Sequence, residues 1–175
     1  TADTVFAALE SRDDKLLALL VTVSVSLDAK NELGQTPLVS AIYQDNRPAV
    51  DKLLELTTQE QLAVADSDGI TALGYAVARK NYSIVSRLIK RGAPADITMQ
   101  HEESAIAFAV READLELVQL LVGDTKFPNL RPDRLQEPLY HAVKAGNERI
   151  AGLLLDAGAD PNYFSISDGC SPLAT

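Results

Sequence analysis

The chain has 175 residues, 46% hydrophobic and 23% charged, with a formal net charge of −9 and a pI near 4.6. That length and balance suit one folded domain rather than a disordered chain, and the acidic excess argues against nucleic acid or anionic membrane as a partner, since both reward a cationic footprint. A single cysteine, Cys170, excludes an internal disulfide or a thiolate metal cluster, and no apolar run reaches the roughly 18 residues of a membrane-spanning helix.

Aromatic residues make up only 5% and Trp is absent, so the core has to be aliphatic. The opening segment TADTVFAALESRDDK has neither a basic n-region nor a long apolar h-region, which speaks for an intracellular setting, cytoplasmic or nuclear, and for a segment of a larger protein.

Taken in order, the chain repeats itself. A first unit over 3–35 places Val5, Ala8 and Leu9 on one helix and Leu16, Leu17, Leu20 and Val21 on a second. The unit over 36–70 begins at Thr36-Pro37 and repeats the pattern with Leu38, Ala41 and Ile42, then Ala49, Val50, Leu53 and Leu54. The unit over 71–103 carries Leu73, Ala76 and Val77, then Ile84, Val85, Leu88 and Ile89. Over 104–136 come Ile106, Ala109 and Val110, then Leu117, Val118, Leu121 and Val122. Over 137–170 come Leu139, Ala142 and Val143, then Ile150, Ala151, Leu154 and Leu155, and Ser171-Pro172 opens a sixth copy over 171–175.

Within each helix the spacing marks a single buried face. The alanine column recurs at intervals of 33, 35, 33 and 33 residues and implies a close helix approach that a larger side chain would overpack. Helices of two or three turns are marginal alone, so each pair is expected to gain its stability by stacking on its neighbours. Thr36, Thr71 and Ser104 are expected hydroxyl caps at first-helix starts. Gly92 and Gly158 are expected in the left-handed conformation at second-helix ends, and Asp68-Gly69 and Asp168-Gly169 at hairpin tips.

NELGQTPLVSA (31–41), DSDGITALGYA (66–76), RLIKRGAPAD (87–96) and LLLDAGADPN (153–162) resemble the two halves of an ankyrin repeat. The resemblance spans essentially the whole chain and implies an all-α solenoid of stacked helix-turn-helix units with β-hairpin fingers. Three departures predict local irregularity: ELTTQEQLAVADSDG replaces the Gly-Ala-Asp turn of the second unit, VGDTKFPNLRPDRLQ ends the fourth with two prolines, and the fifth carries one extra residue around NYFSISDGC. The His that follows Thr-Pro-Leu in the family is replaced throughout by Val39, Gly74, Ala107 or Tyr140.

Chemistry finds little foothold. There is no phosphate loop, nucleophile elbow or dinucleotide turn, so no catalytic residue, metal ligand or cofactor is assigned. His101-Glu102-Glu103 reads as a solvated finger tip, and His141 as a packing or hydrogen-bonding residue beside the alanine column. Asp66-Ser67-Asp68-Gly69 is a turn rather than a calcium loop, because its Gly comes at the fourth position and no distal Glu follows. The sequon at Asn81 lies between helices and is discounted as a glycosylation site. Leu154 with Asn162, and Leu121 with Asn129, resemble a pattern of asparaginyl hydroxylation in the family, but a turn-stabilising Asn is the preferred reading.

The resemblance implies a concave groove lined by the exposed ends of the first helices and by the finger tips. The helix ends are Glu10-Ser11, Tyr43-Gln44, Ala78-Arg79-Lys80, Arg111-Glu112 and Lys144. The tips are Glu32-Leu33, Ser67-Asp68, His101-Glu102, Asp133-Arg134 and Ser167-Asp168. Tyr43, Gln44, Arg79, Lys80, Arg111, Glu112, Lys144, Tyr163 and Phe164 are therefore the candidate partner-binding residues, with the cations suited to an acidic protein or peptide. The expectation is a monomeric interaction scaffold without catalytic activity. The alternative is a regulatory domain that contacts an attached enzyme or channel in cis.

Overall fold

Short helices that are each marginal alone must be held by their ends and by their neighbours. A computed structural model describes residues 2–22, 27–95, 97, 99, 103–123 and 130–163. Its helices are α1 (Ala2–Glu10), α2 (Asp14–Thr22), α3 (Pro37–Tyr43), α4 (Arg47–Leu56), α5 (Gln59–Leu62), α6 (Ala72–Ala78), α7 (Tyr82–Lys90), α8 (Ala105–Arg111), α9 (Leu115–Val122), α10 (Gln136–Lys144) and α11 (Glu148–Asp156). A 3₁₀ turn, Pro132–Leu135, runs directly into α10.

The first helices α1, α3, α6, α8 and α10 stack in one layer, each packed on the second helix of its own pair. The second layer stacks α2 on α4, and α7 on α9 on α11. Between α4 and α7, Arg87 pairs with Asp51, and Arg91 Nη2 donates to the carbonyls of Glu55 at 3.2 Å and Thr57 at 2.9 Å.

The alanine column sits where the layers meet. Ala8, Ala41, Ala76, Ala109 and Ala142 are all at most 1% exposed, so no methylene can be added there without moving a helix. Most of the flanking columns are buried as well, among them Val5, Leu73, Leu88, Leu117 and Leu154. Burying an aliphatic side chain of this size contributes about 1.5–3 kcal/mol.

The ends depart from the expected pattern. Leu16 is 37% exposed and Leu155 is 42% exposed, so neither is covered by a neighbouring pair as its column predicted. Each lies on a second helix at one end of the described stack, where only one side has a partner.

Helix termini follow the sequence closely, with one feature that apolar periodicity does not reveal. Thr36, Thr71 and Ser104 accept the backbone N–H of Val39, Gly74 and Ala107 at 3.4, 3.3 and 3.1 Å, and Gly92 and Gly158 are left-handed at φ of 86° and 96°. Between the helices of each pair, Arg12, Asp45, Lys80, Ala113 and Gly146 also take positive φ, from 51° to 69°. The next residue is Asp13, Asn46, Asn81, Asp114 or Asn147. Its N–H returns to the carbonyl of the column alanine, at 2.8 to 3.0 Å, and its side chain accepts an N–H of the next helix, at 2.9 to 3.3 Å. One Asn or Asp thus closes one helix and caps the next.

The fingers are tight turns, and no strand ladder forms among the described residues. Asn31 N–H donates to the Gln35 carbonyl at 3.1 Å and Asp66 N–H to the Ile70 carbonyl at 3.0 Å. Neighbouring tips are joined by Ser67 N–H to the Leu33 carbonyl, also at 3.1 Å. Turns this short leave too few residues for a ladder. Of the expected irregular stretches, the second unit folds as α5 behind a Thr58–Gln61 capping box. In the fourth, Asp133-Arg134 lies in the 3₁₀ turn rather than at a hairpin tip. His101, Glu102, Asn129, Phe164, Ser167, Asp168, Gly169, Cys170 and the start of the sixth unit lie outside the described residues.

Ala76→Leu is expected to destabilise the chain by ~1–3 kcal/mol through overpacking, read as a lower urea midpoint; an unchanged midpoint would remove the column from the core. Asn147→Ala should cost ~1 kcal/mol through the lost cap, whereas Asn147→Asp, which keeps the acceptor, should retain most of the stability.

Candidate partner-binding cleft

The exposed ends of the first helices form one side of the concave face. Tyr43 is the last residue of α3 and Arg79 is the C-terminal cap of α6, so both project from helix ends where a cation is also favoured by the helix dipole. Tyr43 is 48% exposed. Its ring stands edge-on to Tyr75 at 5.6 Å and 79°, and the Arg79 guanidinium lies over it at 5.3 Å.

Tyr75 is anchored from below by the second finger. Its hydroxyl donates to Asp66 Oδ2 at 2.6 Å and accepts from Gln35 Nε2 at 3.4 Å. Asp66 Oδ1 is already fixed by the N–H groups of Asp68 and Ile70, at 3.0 and 2.9 Å. The turn that resembles a calcium loop therefore spends its carboxylate on its own backbone and on Tyr75. Burial, reinforced by the bond to Asp66, pushes the Tyr75 hydroxyl up to about 12.

Tyr43, Tyr75 and Arg79 line a cleft of about 270 Å3 that continues to Phe108, Met99 and Ile70. Its floor includes Gly74, where a Cβ would come within 2.9 Å of Ile70 Cγ2 and 3.6 Å of Ile97 Cδ1. This glycine serves for room, since it sits inside α6, where Gly costs roughly 0.5–1 kcal/mol against Ala.

The far rim is charged. Arg111 forks onto Glu103, with Nε to Oε1 at 2.9 Å and Nη2 to Oε2 at 3.2 Å, and lies over the Phe108 ring at 5.2 Å. Glu112 is shared between Arg111 at 3.4 Å and Lys80 at 3.1 Å. Among the described residues, Arg79 is the cation of this stripe with no carboxylate within 4.0 Å.

The structure thus brings Tyr43, Arg79 and Arg111 to one cleft, with Lys80 and Glu112 as a salt-bridged shoulder. Gln44 is beside them, its amide turned back to Ser40 Oγ at 3.2 Å. Lys144 lies further along, over the Tyr140 ring at 5.4 Å. Tyr163 is half-buried, its hydroxyl donating to Glu137 Oε1 at 3.2 Å, and burial raises it above the usual tyrosine range. Phe164 is outside the described residues. His141, expected to pack or to hydrogen-bond, is exposed, with its ring 5.7 Å from that of Tyr140 in a T-shaped arrangement; it lies one residue before the column alanine.

Sequence reasoning missed Tyr75, Phe108, Met99 and Glu103. Tyr75 and Phe108 stand in the column just before the alanines, which reads Ala7, Ser40, Tyr75, Phe108, His141. That column is not apolar throughout, so a search for core positions passes over it. Two adjacent aromatics in a chain with few of them were the available signal.

Tyr75 supplies a pH dependence of defined sign. Its folded pKa is raised from 10.0 to about 12, so its stabilising contribution is full below pH 10 and is lost as pH rises through 12. Ultraviolet titration should show a tyrosine ionising near pH 12 that disappears in Tyr75→Phe; its absence from the wild type would mean the Asp66 contact does not form in solution.

A family model of three ankyrin repeats matches residues 5–101 and 75–165. An ankyrin repeat protein of fowlpox virus is 28% identical over 159 residues, covering 91% of this chain and 27% of its own length. The chain spans 13–27% of the length of four of the curated relatives it matches. Among solved structures, the ankyrin repeat domain of Bcl-3 superimposes with a TM-score of 0.75 at 25% identity, over 97% of this chain and 75% of that one. The ankyrin repeat protein EF0377 does so with a TM-score of 0.73 at 22% identity, over 99% and 90%. With the family model covering nearly every described helix and the same two-layer stack in these structures, the chain belongs to the ankyrin repeat family.

Proposed function

We propose that this chain is a protein-binding scaffold that docks a segment of a partner protein on its concave face. Ankyrin repeats are generally protein–protein interaction modules and typically carry no enzymatic activity, and we extend both properties to this chain. The observation that carries the reading is the cleft itself. Aromatic surface is left open between Tyr43, Tyr75 and Phe108 and is rimmed by arginines, the composition that distinguishes interaction surfaces from ordinary solvated ones. Leu33, at a finger tip, is 59% accessible and adds apolar surface there.

Within this reading Tyr43 and Arg79 make the central contacts and Arg111 the far rim. Gln44, Lys80, Glu112 and Lys144 set orientation and on-rate from the shoulder. Tyr163 belongs to a second contact region toward the last helix pair, and Phe164, next to it in sequence, is proposed with it. Arg79, which has no carboxylate within 4.0 Å among the described residues, favours a partner that presents an acidic group. No helix of the described residues is long and apolar enough to cross a membrane.

A photo-crosslinking residue placed at position 43 should capture a partner protein from cell extract, and the same group at position 87, on the second-helix layer, should not. Equal capture at both positions, or capture at 87 alone, would remove the concave face as the docking surface.

A further inference from the structure

We infer that the cleft holds one aromatic side chain of the partner, with a carboxylate one or two residues away docking on Arg79; this rests on the concave face being the docking surface. Size is the first constraint. A volume of about 270 Å3 lies just below the roughly 300–1,000 Å3 of sites that enclose drug-sized ligands, so it fits a single large side chain rather than an organic cofactor.

Wall chemistry is the second. Tyr43 and Tyr75 already meet edge to face at 5.6 Å, and Phe108 with the Met99 thioether completes the lining. A third ring can join the array edge-on or offset, and a thioether also favours an aromatic neighbour. An aliphatic guest gains area alone.

Charge is the third. Arg111 is satisfied by the two oxygens of Glu103, which leaves Arg79 as the cation of the rim without a carboxylate among the described residues. Tyr43 holds the Arg79 guanidinium at the mouth, 5.3 Å above its ring. One negative charge completes this arrangement. A carboxylate supplies that single charge. Gly74 lines the same cleft, where a Cβ would meet Ile70 and Ile97.

The test is selection of random octapeptides by display on the intact chain and, in parallel, on Arg79→Glu and Phe108→Leu, each with helicity matched to wild type. Selected peptides are then titrated singly by fluorescence polarisation. The wild type should select Phe, Tyr or Trp with Asp or Glu one or two residues away, and exchanging that acid for Lys should weaken binding by about tenfold or more. Arg79→Glu should keep the aromatic and change its neighbour to Lys or Arg, and Phe108→Leu should admit aliphatic residues at the anchor. Peptides that lose binding in Tyr43→Ala but carry no aromatic–acid pair, or that require phosphate, overturn this inference and leave the concave docking surface standing. Peptides indifferent to Tyr43→Ala, or failure to recover any binder, overturn both.

Discussion

The close approach at the alanine column is the constraint from which the rest of the structure follows. Because Ala76 and its counterparts are at most 1% exposed, the first helices can lie against one another and against their own second helices. The larger aliphatic side chains then interlock on either side. A larger residue would separate the layers and forfeit the contacts of every flanking column at once. Stability in such a stack is nearly a sum of units and their interfaces, which is why the exposed Leu16 and Leu155 occur at its described ends and not in its middle.

That packing would lead nowhere without a turn that reverses the chain at the same point in every unit. The Asn or Asp that follows each left-handed residue performs two tasks with two groups: its N–H closes the helix behind it on the alanine carbonyl, and its side chain caps the helix ahead. Both tasks satisfy backbone groups that would otherwise be orphaned at helix ends. The economy of this turn fixes the angle between the two helices, and so fixes where Tyr43 and Arg79 emerge.

The concave face inherits its order from the scaffold in a chain of contacts. The finger turn immobilises Asp66, Asp66 holds the Tyr75 hydroxyl, Tyr75 supports Tyr43, and Tyr43 carries Arg79. Binding surfaces gain affinity when their contact residues are ordered in advance, since less freedom is lost on docking. Here the ordering comes from a neighbouring unit rather than from the helix that bears each residue. Acidic composition and a cationic rim are also reconciled at this point. The cations on the stripe have carboxylates or aromatic rings beside them, so part of the positive charge is balanced locally.

The repeating unit, its helix starts at Thr36, Thr71 and Ser104, its left-handed closures at Gly92 and Gly158 and its aliphatic columns were legible in the sequence alone. Each depends on spacing within about one unit or on recurrence between units, and both are visible in a string of letters. Tyr43, Arg79 and Arg111 could be placed on one face by the same logic. What only the tertiary structure decided was which of those residues act together. Arg111 is neutralised by Glu103, Lys80 shares Glu112, and Arg79 rests on a ring 36 positions earlier in the chain. Pairing of this kind depends on ångström-scale distances between neighbouring units, which periodicity does not encode. The cleft, likewise, is lined by rings contributed by three different helices, which the order of residues along the chain does not bring together.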